Sequence, residues 1–414
     1  MYDWANSVYS LTITTAVFPI YYEAVTTKED GSSLVAFLGF ELPNTVLYSY
    51  ALSFSFLFTA AILPLLTGIA DYSGKKKFFL KAFAYLGSLA CIAMFFFEGD
   101  NVNYGIAMAI IASIGYSGSL VFYDAYLPEI ASPDRFDRLS ARGYSMGYMG
   151  SVILLIFNLL MIQMPELFGL SAGSLPARIS FVTVGLWWAG FSQITFNRLP
   201  ANPFKKEVTG SLFKKGYQEL RLVYGQIKEL SHMKRYVLAF FFYNAGVQAI
   251  MYLASLFGAK ELQMEAGALI LTVLIIQLVA IVGAYLFARI SEKRGNIHSL
   301  TIMIFIWILV CGLAFFVKNE WQFYGLAFLV GLIMGGIQAL SRASFSKLIP
   351  SDTQDHASFF SFYDVTFNVS IVMGTIAYGT IEFITGSMRY SALGLGLLFI
   401  IGLYFLRGVR IQNS

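Results

Sequence analysis

Charged residues are scarce in this chain: 13% of its 414 positions, against about 25% in a typical soluble domain. With 57% hydrophobic and 17% aromatic residues, the composition argues against folding in water. Cysteine is nearly absent. Cys91 and Cys311 both fall inside apolar runs and read as small buried hydrophobes, not as a disulfide or metal ligands. The three histidines, His232, His298 and His356, sit in polar stretches without metal-ligand spacing, which disfavours a metalloenzyme. No Gly-x-x-x-x-Gly-Lys-Ser/Thr sequence occurs, so ATP-driven transport within the chain is unsupported. No nucleophile with its base appears either, and neither an enzyme nor a cofactor is expected. The N-terminus lacks the pattern of a removable signal. The first apolar run, from Tyr2, reads as a retained helix so close to Met1 that a natural extension before it is expected.

Long apolar runs, by contrast, recur along the whole chain. Splitting at polar, Gly and Pro clusters predicts spans over 2–24, 44–70, 78–97, 104–127, 142–164 and 176–196, then 236–258, 266–288, 299–317, 321–346, 358–384 and 386–408. Each suffices to cross a hydrocarbon core of about 30 Å as a helix. The fold class expected is an all-α membrane protein of twelve transmembrane helices in two pseudo-symmetric six-helix bundles, 1–197 and 236–414, joined by a linker over 198–235.

The connections alternate in charge. One face carries Lys75, Lys76, Lys77, Lys81, Arg135, Arg138, Arg142, Arg289, Lys293, Arg294, Arg342 and Lys347. It also holds nine basic residues of the linker, Lys205 and Lys206 among them, together with Arg407 and Arg410. That is 23 of the 28 basic residues; the other face keeps Lys28, Arg178, Lys260, Lys318 and Arg389. The positive-inside rule makes the rich face, with both termini, cytoplasmic. The net charge of +4 is therefore a topology signal, and nucleic acid is not an expected partner. Within the linker, Phe213, Tyr217, Leu220, Tyr224 and Ile227 share one helix face among Lys214, Lys215, Arg221 and Lys228. This predicts an amphipathic helix on the inner leaflet, with membrane lipids as partners.

The halves echo one another. Asp71 and Gly74, before three lysines, match Glu292 and Gly295 at an offset of 221, and Pro128 matches Pro350 at 222. Acid, turn glycine and cations between two helices form a mechanical unit; a plain turn with positive-inside lysines is the bland alternative. Arg142 and Asp364 each lie fourteen residues after those prolines. Charge at membrane depth is costly and pairs or lines a wet cavity. The expected pairs are Asp124 with Arg142 and Arg342 with Asp364, near the cytoplasmic surface, breaking and re-forming as a gate; a fixed structural pair would look the same in sequence. Among polar residues inside spans, Asp3, Asn6, Asn244 and Gln248 are the candidates to line a substrate pathway, with Trp4, Tyr9, Tyr243 and Tyr252 as apolar walls. Interhelical hydrogen bonding explains any one of them as well.

The stretch Gly68-Ile-Ala-Asp71-Tyr-Ser-Gly74-Lys-Lys-Lys77 resembles the loop between helices two and three of the major facilitator superfamily, with Gly68 one position closer to the aspartate than that pattern asks. The resemblance implies that the contacts of Asp71 stabilise one gating state. The second copy is degraded at Glu292. More narrowly, Tyr2-Asp-Trp-Ala-Asn-Ser7, Ala16-Val-Phe-Pro-Ile-Tyr21, Leu127-Pro-Glu-Ile130, Arg142-Gly-Tyr-Ser-Met-Gly-Tyr148 and Gly336-Ile-Gln-Ala-Leu-Ser-Arg342 resemble the unknown major facilitator branch, which includes vacuolar amino-acid effluxers of the autophagy-related protein 22 type. It implies a twelve-helix facilitator fold and amino-acid export. The leading expectation is a secondary transporter exporting amino acids or similarly small polar solutes by alternating access, and burial cost makes Asp3, Asp124 and Asp364 the candidates for coupling to protons. A bacterial-type plasma membrane is the expected location. Competing expectations are a carrier of amphipathic cargo, such as a lysolipid or cell-wall fragment, and a non-transporting receptor or scaffold.

Overall fold

A computed structural model describes residues 1–28, 32–200 and 211–411. Lys205, Lys206 and the linker between 201 and 210 lie outside the described residues. Eleven helices among those described are long and apolar enough to cross a membrane. They are Asn44–Ser73, Lys76–Ala93, Val102–Asp124, Phe136–Gln163, Leu175–Arg198, Ser231–Glu261, Ala266–Arg294, Asn296–Phe316, Glu320–Leu348, His356–Thr385 and Met388–Leu406. Each overlies one expected span. The largest boundary differences fall at Phe136–Gln163 and Ala266–Arg294, where the helix runs on past its apolar part into polar turns.

The first expected span is helical but not uniform. It runs as α-helix over Tyr2–Val8, π-helix over Tyr9–Val17 and α-helix again over Phe18–Thr26. Between it and the next span stands a hairpin absent from the expectations, Leu34–Phe37 paired antiparallel with Phe40–Pro43. Leu38 and Gly39 turn it with φ of 48° and 86°, the backbone sign of a tight two-residue hairpin loop.

The chain forms two compact units. The first holds residues 1–63, 75–123 and 149–204; the second holds 64–74, 124–148 and 205–414. The basic-rich ends of the second, fourth and fifth spans thus group with the second half of the sequence.

In the first unit, aromatic packing fills the core. Phe18, Tyr21 and Tyr22 meet Phe97 at centroid distances of 5.8–6.1 Å, and Trp4 stacks on Trp187 at 5.4 Å. Arg178 holds one end of this unit: its Nε donates to the Phe95 carbonyl at 2.5 Å, and its guanidinium lies over the Phe95 ring and pairs with Glu98.

In the second unit, Ala266–Arg294 and Glu320–Leu348 pack so closely that a Cβ added at Gly335 would lie 2.1 Å from the Ala280 carbonyl oxygen. One added at Gly283 would lie 2.0 Å from that of Leu332. Small residues at such crossings let helix backbones touch, as membrane interiors favour. An arginine again closes one end. Arg389 donates to the Phe315 and Val317 carbonyls at 2.9 and 2.5 Å and pairs with Glu261 at 3.0 Å. Phe95 and Phe315 are 220 residues apart, so this clasp is another internal echo. Large apolar side chains such as Phe54, Leu57, Val282, Leu397, Ile400 and Tyr404 are exposed, as helices facing lipid require.

Candidate functional site

The polar groups gather at two kinds of place. The first is the basic-rich end of the spans, within the second unit. Gly74 and Gly295 both adopt positive φ, 67° and 85°, so both repeat copies make the turn that glycine permits. Only the first copy then places its acid productively. The Asp71 carboxylate accepts the Ser358 backbone N–H at 2.7 Å and that of Ala357 at 3.3 Å. These are first-turn donors of His356–Thr385 with no partner inside their helix, and a carboxylate there also meets the positive end of the helix dipole. Asp71 is thereby an N-terminal cap supplied from a distant span.

Glu292, its repeat counterpart, is exposed. Its neighbours Ser291 and Asn296 instead hold Asp137, an aspartate the sequence reading did not single out. Asp137 Oδ2 accepts from Lys347 Nζ at 2.9 Å and Ser291 Oγ at 2.8 Å, and Oδ1 accepts from Asn296 Nδ2 at 2.7 Å. Lys347 Nζ also donates to Asn296 Oδ1 at 2.7 Å. Asp137 opens Phe136–Gln163, so both loops contact the first turn of a distant helix, by different chemistry.

The charge pair that this structure holds draws one member from each expected pair. Asp124 is bound to Arg342, with Nη1 donating to Oδ1 at 2.8 Å, while Arg142 is exposed. Arg342 is positioned for this by Ser140, whose Oγ and carbonyl accept from Nε at 3.0 Å and Nη2 at 3.2 Å, and by the Tyr144 ring 4.5 Å below the guanidinium. Ser140 Oγ in turn donates to the Ala339 carbonyl at 2.7 Å. Asp364 is held within its own helix, accepting from Asn368 Nδ2 at 2.8 Å. The physical reason is reach. Ser140 sits half a turn before Arg142 and locks the arginine of the other half beside Asp124, whereas Arg142 projects from the opposite side of that helix.

The second place is the span interior. In the first unit Asp3 and Asn6 are buried, with Asp3 accepting the Tyr123 hydroxyl proton. Asn6 Oδ1 receives Ser7 Oγ at 3.5 Å, and its Nδ2 is buried with no hydrogen-bond partner. In the second unit Asn244 and Gln248 are buried and chained: Gln248 Nε2 donates to Asn244 Oδ1 at 3.3 Å, and Asn244 Nδ2 donates to Ser370 Oγ at 2.7 Å. Tyr9 and Tyr243 are buried as expected of walls, whereas Tyr252 is 40% exposed. Two buried tyrosines that the sequence reading left aside or used only as wall, Tyr236 and Tyr243, bind the Ser341 carbonyl at 2.8 Å and hydroxyl at 2.7 Å, next to Arg342. Among the described residues no group of histidine, cysteine, aspartate and glutamate could hold a metal ion.

Known proteins resemble this chain over its whole length. The family described as "Vacuole effluxer Atg22 like" matches residues 1–414. The "Uncharacterized MFS-type transporter YxiO" of Bacillus subtilis (strain 168) is 30% identical, over 100% of this chain and 94% of its own. Autophagy-related protein 22 of Kluyveromyces lactis is 25% identical, over 88% of this chain and 80% of its own. Among solved structures, the major facilitator superfamily transporter FucP in its outward conformation superposes with a TM-score of 0.72 at 14% identity, covering 98% of this chain and 97% of that one. The proton:xylose symporter XylE superposes with a TM-score of 0.69 at 12% identity, covering 100% and 94%.

Proposed function

The chain belongs to the Atg22-like effluxer family of major facilitator transporters, and on that premise we propose that it exports a small polar solute, amino acids foremost, by alternating access. The observation that carries the substrate class is the buried pair Asp3 and Asn6 on the first span, in which the Asn6 Nδ2 donor has no protein partner. A buried donor left without a bond costs about 1–3 kcal/mol, a cost that a bound carboxylate oxygen would remove. Three residues before it, the Asp3 carboxylate suits an ammonium group. An α-amino acid carries both complements. Asn244 and Gln248 are the corresponding lining of the second half.

The gate of this cycle is the basic-rich end, cytoplasmic with both termini on the positive-inside reading. There Asp71 capping Ser358, Asp124 on Arg342, and Asp137 on Lys347 each join residues more than two hundred positions apart. Breaking these contacts together opens the inner mouth; Arg142 and Asp364 then become the alternative partners of Asp124 and Arg342. The bundles that rock are 1–197 and 236–414, joined by the linker over 198–235. Proton coupling through Asp3, Asp124 or Asp364 belongs to the same proposal.

Flux of labelled amino acids from proteoliposomes tests this reading. Saturable flux is expected for at least one amino acid, with Asn6→Ala raising KM and leaving the fold intact. No saturable flux for any member of a full panel removes the substrate class. Flux indifferent to a pH gradient removes the coupling.

A further inference from the structure

The linker helix Leu212–Glu229 has two faces with different surroundings. Gly216, Glu219 and Val223 are buried, and the first of these lies directly on the end of the second span. A Cβ added at Gly68 would come within 2.3 Å of the Gly216 carbonyl oxygen, and one added at Gly216 within 2.6 Å of Ile69 Cγ1. This close approach also gives Gly68 a purpose three residues before Asp71. Further along, the Tyr224 ring stacks on Phe362 with centroids 5.9 Å apart. The helix therefore rests on both elements that Asp71 joins, the end of Asn44–Ser73 and the first turns of His356–Thr385.

The remaining face is apolar and cationic at once. Phe213 is 66%, Tyr217 60% and Leu222 62% exposed, and Lys214, Arg221 and Lys228 are exposed as well. At 100° per residue, Phe213 and Tyr217 form one stripe, with the three cations directly beside it. Of the two acids on this helix, Glu219 is turned inward and only Glu229 is exposed. Leu230 alone separates the helix from Ser231–Glu261, whose stretch Ser231–Ala254 is long and apolar enough to cross a membrane, so this face stands at the bilayer surface. Rings at the acyl boundary with cations at the headgroups are how a helix lies on an anionic leaflet.

We propose that this face docks on the anionic lipid leaflet beside it and that lipid charge thereby holds the Asp71 cap closed. The occupant is the membrane surface itself, because rings and cations alternate along an open helix face instead of converging on one point. The inference goes beyond the transport reading, and neither readout below uses a substrate, so each can fail alone.

The test uses the full chain in nanodiscs of phosphatidylcholine, alone or with about one-third phosphatidylglycerol. Maleimide reactivity of Tyr217→Cys reports docking, since Cys91 and Cys311 are buried. Hydrogen exchange at the Ala357 and Ser358 amides reports the cap. Each basic residue near such a surface is worth about fivefold in partitioning. At low salt, anionic discs should thus slow the thiol reaction by about tenfold to a hundredfold and slow exchange at both amides. The triple variant Lys214→Gln, Arg221→Gln, Lys228→Gln, altered only at exposed side chains, should abolish both differences. Equal thiol rates in the two discs overturn the docking. Protection reproduced in neutral discs by soluble glycerophosphate replaces the leaflet with a free-anion site. Thiol protection without change at the two amides overturns the link to the cap.

Discussion

The pairing of Asp124 with Arg342 should show itself as strong non-additivity. Both side chains are largely buried, at 14% and 4% exposure, and removing one partner of a buried pair costs about 3–5 kcal/mol. Asp124→Asn lies at the lower end, because the guanidinium keeps its bonds to Ser140 and its place over Tyr144. Arg342→Met costs more, since it takes the guanidinium from the buried Asp124 carboxylate and also empties both Ser140 acceptors. The double variant removes both charges. Its cost should fall short of the sum of the singles by about 2–3 kcal/mol, within the range for residues in contact. Unfolding free energies of the full chain in mixed micelles, from a denaturing-detergent titration, provide the four corners of the cycle. Additivity within about 0.5 kcal/mol would refute the reasoning, and so would an equal coupling found for Asp124 with the exposed Arg142.

Three further outcomes follow from single contacts. Asp71→Ala removes a cap from His356–Thr385, which should cost about 1 kcal/mol and raise hydrogen exchange at Ala357 and Ser358 while leaving amides in the middle of that helix unchanged. Gly335→Leu places a side chain where 2.1 Å separates an added Cβ from the Ala280 carbonyl; the chain should fail to elute as a folded monodisperse species, whereas Gly267→Leu, where an added Cβ meets nothing within 4 Å, should behave normally. At Glu261 partial burial favours the neutral acid, but Ser387 Oγ, the Met388 N–H and Arg389 outweigh it and hold the carboxyl below its ordinary range. A lowered value means that this stabilisation is complete above about pH 5 and is lost as acid passes the folded-state value. Exchange at Met388 and Arg389 should therefore rise only in stronger acid, and Glu261→Gln should remove that step.

Much of the fold is legible because the bilayer imposes length and apolarity on every span, and the eleven long helices lie where apolar runs predict them. The turn at Asp71 and Gly74 is legible too, because glycine there has a backbone job that repeats 221 positions later. Partnership is not. Asp124 and Arg342 stand out as charges near apolar runs, but nothing local shows that Ser140 will fix the arginine, so proximity in sequence does not find the partner that Asp124 has in this structure. Asp137, Asn296 and Lys347 each look ordinary for a polar loop; only folding brings them within 2.9 Å. The arginine clasps at Phe95 and Phe315 are invisible for another reason. Their acceptors are backbone carbonyls, which every residue possesses. On the linker helix the aromatic stripe does emerge exposed at Phe213 and Tyr217, while Tyr224 stacks on Phe362 and the buried side is built from Gly216, Glu219 and Val223, a mix that no apolar periodicity selects.

The widened turns over Tyr9–Val17 give the first span a property that a uniform helix lacks. A segment closed by i→i+5 bonds is under-wound, and such stretches are rare and concentrate where proteins act. Rewinding it toward ordinary α geometry would swivel the Tyr2–Val8 piece about its own axis. The far piece would stay anchored, since Tyr21 is bonded to the Phe97 carbonyl and Thr26 to Asn44. Asp3 and Asn6 ride on the piece that swivels. Their direction is thus tied to the pitch inside one helix.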